Sequence, residues 1–120
     1  MKIYTSYYGN YRNFGDLFPI SIALYPSKFF KCFNLKDLAP TKEIFDLKDN
    51  QIEYTKKYNQ LLSNINAISL YEKINFFSKN KDVVLLCYEK PPKFCHRHIV
   101  SEWFKNELGI KIEELNFKIK

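Results

Sequence analysis

The segment that most restricts the fold of this chain is a continuous apolar run from Val83 to Tyr88. A strand with one face in water alternates apolar and polar residues, whereas a short, unbroken apolar run indicates a strand buried on both faces. Pro91 and Pro92 follow the run closely, so the strand ends and a loop begins there. Such a strand lies inside a parallel sheet with structure on each side, which predicts an α/β fold.

The rest of the chain alternates between strand and helix patterns. Further strands are predicted over residues 2–8, 19–25 and 110–117. Helical spacing of apolar residues predicts helices over residues 52–65, 68–77 and 95–108, the last ending at Gly109. We therefore predict a single three-layer α/β domain over residues 1–120, with a small, mostly parallel sheet flanked by helices.

Length and composition suit one soluble domain. The chain has 120 residues, of which 46% are hydrophobic, enough for a single core. No segment approaches the roughly 18 consecutive apolar residues of a membrane span, and the first residues lack the pattern of a secretory signal. We expect a cytoplasmic protein with no membrane partner and with Cys32, Cys87 and Cys95 reduced.

The net charge of +6 favours anionic partners, either nucleic acid or an anionic small molecule. The excess is spread evenly, since residues 1–60 and residues 61–120 each carry +3. A lysine-rich solvated surface therefore explains the charge as well as a nucleic-acid interface does. The pattern does not indicate an oligomeric state.

The segment best suited to chemistry is the start of the last predicted helix, Cys95-His96-Arg97-His98. Ligands of open α/β sheets bind beyond the carboxyl ends of the strands, where loops lead into helix N-termini. Unpaired N–H groups and the helix dipole at such a point stabilise a bound anion or a thiolate. Cys95, His96 and Arg97 are therefore candidate catalytic residues. Because a cation is unfavourable at a helix start, Arg97 requires an anionic ligand or a carboxylate such as Glu89.

The two histidines of this segment point in different directions. Turning the helix by 100° per residue gives an apolar face made of Ile99, Val100, Trp103 and Phe104. His96 lies at the centre of this face and is predicted to face the sheet or the crevice. His98 points away and is expected to be solvated.

A metal site is not expected from the spacing of the cysteines and histidines. Cys87, Cys95, His96 and His98 match none of the usual zinc patterns, and residues two apart on a helix do not converge. Cys87 is interpreted as a buried core residue, since free cysteine is among the most buried residue types. The sequence indicates no cofactor.

Residues that follow the first and the central predicted strands are candidates for ligand binding. They are Ser6, Tyr7, Asn10, Tyr11 and Arg12 after the first strand, and Glu89 and Lys90 after the central strand. Aromatic rings interleaved with basic groups can stack bases and hold phosphates. The same aromatic residues could equally pack against the core.

The candidate site resembles the domain-of-unknown-function 488 family (DUF488). The resemblance rests on the strand and loop Leu85-Leu86-Cys87-Tyr88-Glu89-Lys90, followed by a helix that opens Cys95-His96-Arg97. It extends to Tyr4-Thr5-Ser6 in the first strand and to Tyr25-Pro26-Ser27, so it covers most of the chain. The resemblance implies an α/β sandwich with a site at the Cys-His-Arg segment, and it implies no particular reaction.

Two segments depart from the pattern of many family members. Ser6-Tyr7-Tyr8-Gly9 stands where many members have a segment containing histidine, and Ala23-Leu24-Tyr25 stands where many have Asp-Val-Arg.

Two functional hypotheses follow from the sequence. In the first, the protein is an enzyme in which Cys95 is a thiolate nucleophile, His96 an acid, base or orienting group, and Arg97 a clamp for an anionic, nucleotide-like or nucleic-acid substrate. In the second, it is a non-catalytic module that binds nucleic acid or a nucleotide in the same crevice. A scaffold whose crevice serves only packing is a third alternative.

Overall fold

The structure is a computed structural model that describes residues 1–89 and 93–115. Its centre is a five-stranded sheet in the order β3-β2-β4-β1-β5, and every neighbouring pair is parallel. The strands are β1 (Ile3–Tyr7), β2 (Phe18–Ser21), β3 (Phe33–Asn34), β4 (Val83–Cys87) and β5 (Glu113–Glu114). The predicted α/β fold with a small parallel sheet is confirmed, and the apolar run is its central strand.

The helices begin and end where local side chains satisfy the backbone. They are α1 (Lys42–Phe45), α2 (Gln51–Ser63), α3 (Ala67–Ser78) and α4 (His96–Leu108), with 3-10 helices at Tyr8–Asn13 and Lys36–Leu38. The side chains of Thr41, Asn50 and Asn66 accept backbone N–H groups at the starts of α1, α2 and α3. Gly109 ends α4 with a φ of 67°, a left-handed conformation that glycine adopts without strain.

Both faces of β4 are buried, and different layers cover them. Val83 and Leu85 point into a large core cluster to which all four described α-helices contribute. Val84 and Leu86 point the other way, into a smaller cluster with Tyr8 and residues of the loops between β1 and β3. The helices therefore pack on one face, and the 3-10 helix at Tyr8–Asn13 and connecting loops form the layer on the other.

Several element boundaries differ from the predictions. The second strand ends at Ser21 instead of residue 25, and β3, only two residues long, was not predicted because so short a segment shows no periodicity. The first strand ends at Tyr7 instead of residue 8, and a 3-10 helix follows it. The last strand is limited to Glu113–Glu114 within the predicted range, whose residues 116–117 lie outside the described residues. Within the described ranges, no helix is long and apolar enough to cross a membrane.

Candidate functional site

The candidate site forms where the central strand and the last helix meet. Cys87 is the last residue of β4, and the parallel register places it beside Tyr7 at the carboxyl edge of the sheet. Cys95 is the N-cap of α4, with extended backbone angles and no side-chain capping bond. Cys87 and Cys95 are 1% and 6% exposed. The topology therefore brings both sulfur atoms to the edge at which parallel α/β sheets bind ligands.

A cleft of about 730 Å³ opens over this point, a size typical of small-molecule sites. Its floor contains Cys87, Cys95 and His96. Five aromatic residues contribute to its walls, and its charged residues are two cations and two acids. The aromatic residues are Tyr25, Phe45, Tyr54, Tyr88 and Phe94, and the charged ones are Lys48, Asp49, Glu89 and Lys93.

The sulfur atoms of Cys87 and Cys95 are joined as a disulfide, whereas Cys32 is free. The expectation that all three cysteines are reduced therefore does not describe this state of the protein. Cys87 is buried, as predicted, and it also lies in the floor of the cleft against Cys95. The sequence did contain a signal for this position, because Cys87 ends a buried strand at the ligand-binding edge.

The His96 ring is held in one orientation by the backbone. Its Nε2 atom lies 2.7 Å from the carbonyl oxygen of Ile22, to which it donates, and this leaves the Nδ1 lone pair facing Cys95 Sγ at 3.8 Å. The pKa of His96 is lowered to about 4, mainly by burial; the Ile22 hydrogen bond opposes this effect, and the charges of Arg97 and His98 add smaller lowering effects. The imidazole is therefore neutral at pH 7, and the prediction that His96 faces inward is confirmed.

Arg97 is fully buried and lies behind the floor of the cleft. Its Nε and Nη2 atoms each donate to the carboxylate of Glu114 at 3.0 Å, and its Nη1 atom donates to Cys87 Sγ at 3.1 Å. Thr5 also donates to this carboxylate, at 2.7 Å. The carboxylate partner of Arg97 is therefore Glu114 and not Glu89. Arg97 is fully buried and is not part of the cleft lining, so its guanidinium does not face the space in which the sequence suggested that it would clamp an anionic ligand.

The candidate ligand-binding residues after β1 do not line the cleft. Ser6 pairs with Leu86 and so shares its face of the sheet, away from the helices, and there the Asn10 amide donates to the Ser6 hydroxyl at 3.0 Å. Tyr11 and Arg12 are exposed on the 3-10 helix, with the guanidinium carbon 5.6 Å from the ring centroid. The Tyr7 ring folds back over Gly9, where an added Cβ would lie 3.1 Å from it. None of these five contributes to the cleft that contains Cys95.

Of the two candidate ligand-binding residues after β4, Glu89 lies within the described residues and Lys90 does not. Glu89 is exposed and lines the cleft. The aromatic walls were missed because they come from separate loops and helices whose meeting depends on tertiary packing.

Comparison with known proteins identifies the family. The family model described as DUF488-N3a, the active DUF488-N3 subclade, matches residues 3–108. No curated protein and no solved structure matches the chain. The match contains both cysteines of the cleft floor together with His96 and Arg97, the residues on which the resemblance was based. The chain therefore belongs to the DUF488 family, within its DUF488-N3a group.

Proposed function

We propose that this protein is an enzyme that acts on an anionic, nucleotide-like small molecule bound in the aromatic cleft, with reduced Cys95 as its nucleophile. The observation that carries the proposal is the position of the Cys95 sulfur. It lies in the cleft floor at the N-terminus of a 13-residue helix, with the lone pair of His96 Nδ1 at 3.8 Å.

The helix start and the imidazole support the thiolate in different ways. The N–H groups of the first turn of α4 and the positive end of its dipole favour negative charge on Cys95 Sγ. With a pKa of about 4, His96 is a weak base at pH 7. His96 therefore orients the thiol by accepting its hydrogen bond through Nδ1, and the helix supplies most of the stabilisation of the thiolate.

Arg97 acts in this proposal as a positioning residue. It connects the start of α4 to the end of β4 through Cys87 and to β5 through Glu114. These contacts fix the distance between the two sulfur-bearing segments. The charge of the guanidinium also lies close enough to favour thiolates over thiols.

The walls of the cleft support a flat, anionic substrate. Tyr25 and Phe45 form one edge-to-face pair with ring centroids 5.4 Å apart, and Tyr54 and Phe94 form another at 5.1 Å. Stacking of a base on such a ring contributes about 1–3 kcal/mol. Lys48 and Lys93 provide the cations for a phosphate, in a lining that also carries the carboxylates of Asp49 and Glu89.

The proposal is tested by the rate of alkylation of each cysteine in the reduced protein. At pH 7 we expect iodoacetamide to modify Cys95 at least about tenfold faster than Cys32. Cys32 is the internal control, because it is half-buried and burial raises the pKa of its thiol. Cys95→Ser should remove the fast phase, and Cys32→Ser should leave it unchanged.

Nucleotide binding is tested in the same assay. Ribonucleoside 5′-monophosphates should slow the labelling of Cys95 and leave that of Cys32 unchanged. If Cys95 is labelled as slowly as Cys32, the assignment of Cys95 as the nucleophile is wrong. If nucleotides still bound under that outcome, the result would favour the non-catalytic binding module.

A further inference from the structure

We propose that Cys87, Cys95 and His96 form a binding site for a thiophilic divalent cation, best fitted by Zn²⁺, in the floor of the cleft. The three potential ligand atoms, two Sγ and Nδ1, all lie within 4.8 Å of one another, and all three residues are buried. The inference uses the site of the proposed function and adds a ligand that competes for Cys95.

The three ligand atoms converge because they come from two elements, β4 and α4, and not from one helix. No metal site was expected, because Cys87, Cys95, His96 and His98 match no usual zinc spacing and residues two apart on a helix diverge. The strand end supplies Cys87, the N-cap supplies Cys95, and the first helical residue supplies His96. His98 is exposed and takes no part in the cluster.

The distance between the Cα atoms of Cys87 and Cys95 suits a metal ion bound between the two sulfur atoms. Zn–S bonds of about 2.3 Å at a tetrahedral angle require sulfur atoms about 3.8 Å apart. The Cα atoms of Cys87 and Cys95 are 7.2 Å apart, beyond the usual range for disulfides. The reduced pair therefore has room to separate around an ion, and the Cys95 Sγ to Nδ1 distance of 3.8 Å already fits two ligands of one metal.

The contacts around the three ligands are those of a metal site. A ligating histidine usually donates its other ring N–H to a carbonyl or a carboxylate, which fixes the ring, and His96 does so to Ile22 at 2.7 Å. Arg97 donates to Cys87 Sγ and is itself held by Glu114. These outer contacts orient His96 and Cys87 before any ion arrives.

The donor set determines which cation fits. Two thiolates and one imidazole are softer ligands than the oxygens preferred by Mg²⁺ and Ca²⁺, and the two thiolate charges balance a divalent ion. Three protein ligands with one side open to solvent is the arrangement of zinc sites that bind a water or a substrate. Here the open side faces the cleft, because all three ligands line it.

Binding is tested with the 120-residue chain, reduced with a phosphine and titrated with Zn²⁺ and with Co²⁺. We expect one ion per chain, and for Co²⁺ a thiolate-to-metal charge-transfer band with intense visible bands of tetrahedral coordination. Cys87→Ser, Cys95→Ser and His96→Ala should each weaken the affinity by about 100-fold or more. The matched controls Cys32→Ser and His98→Ala should retain wild-type affinity.

The Co²⁺ spectrum of the wild-type protein keeps the test decisive if a variant fails to fold. Absence of stoichiometric uptake, or a spectrum without thiolate bands, would overturn the site. Protein with its Cys87–Cys95 disulfide intact should not bind, because the same sulfur atoms are used.

Alkylation distinguishes this inference from the proposed function. Zn²⁺ should slow the labelling of Cys95 without affecting Cys32. Fast labelling of the metal-free protein without any zinc binding would overturn the metal site alone. Zinc binding combined with slow labelling of the metal-free protein would overturn the nucleophile alone.

Discussion

At the scale of single residues, His96 is the side chain that most directly connects stability with the site. It is buried against the ring of Tyr58, with ring centroids 5.4 Å apart, and bonded to the carbonyl of Ile22. The buried environment favours the neutral imidazole, and this is the main cause of the low pKa of His96. Protonation of His96 therefore destabilises the folded protein. The same burial fixes which ring nitrogen faces the cysteines.

This burial predicts an acid-dependent loss of stability in metal-free protein. The pKa of His96 is about 4 in the folded protein and about 6.5 when unfolded, so between these values the unfolded state binds more protons. The contribution of neutral His96 to the free energy of unfolding should be complete above pH 6.5, and about 3 kcal/mol of it should be lost as the pH falls to 4. His96→Gln, which can still donate to Ile22 without titrating, should lose this component. Urea unfolding in the presence of a chelator measures it.

His98→Gln is the matched control for the pH experiment. Partial burial lowers the pKa of His98 as well, but His98 is more exposed than His96, so its substitution should remove a smaller part of the pH dependence. An equal pH dependence in wild-type protein and His96→Gln would contradict the assignment.

At the scale of elements, the two-residue strand β5 is joined to the site by the contact between Glu114 and Arg97. β5 has two residues and pairs with Tyr4 and Thr5 of β1 at the edge of the sheet. Glu114 connects it to the buried guanidinium of Arg97 through two hydrogen bonds. Arg97 thus fixes β4, β5 and α4 relative to one another.

Removing the charge of Glu114 should destabilise this junction. Glu114→Gln leaves the fully buried guanidinium of Arg97 without a counter-charge, and we expect a loss of about 3 kcal/mol in the free energy of unfolding. The adjacent, exposed Glu113→Gln should change stability by less than about 0.5 kcal/mol. Chemical denaturation of both variants provides the comparison, and equal effects would show that the ion pair contributes little.

At the scale of the whole molecule, one core connects the helices to the sheet. The large cluster contains residues of the sheet and of all four described α-helices, and the smaller cluster packs on the other face of the same central strand. Neither cluster can be lost without exposing β4. The described parts of the chain should therefore unfold together.

This architecture predicts a single cooperative unfolding transition. Trp103, the one tryptophan of the chain, is buried in α4 beside Phe104 and reports on the large cluster. Its fluorescence and the far-ultraviolet circular dichroism should give the same midpoint in urea. Separate midpoints would show that the helical layer and the sheet unfold independently.

The sequence by itself determined the features that depend on neighbouring residues. The apolar run placed β4 inside the sheet, helical spacing placed α2, α3 and α4, and the wheel of α4 turned His96 inward and His98 outward. Each inference needed only the period of a strand or a helix. The Cys95 helix start was identified in the same way, from residues a few positions apart.

Only the tertiary structure decided which distant residues share the site. The position of the start of α4 over the end of β4 placed Cys95 beside Cys87, and packing brought Glu114 to Arg97, although the sequence had suggested Glu89. The pairing of Ser6 with Leu86 and the packing of the helices on the other face of the sheet left Ser6 on the face opposite the cleft. These outcomes depend on register and on contacts between remote segments, which local periodicity does not encode. The chemistry of the cleft floor therefore follows from how β4, β5 and α4 meet.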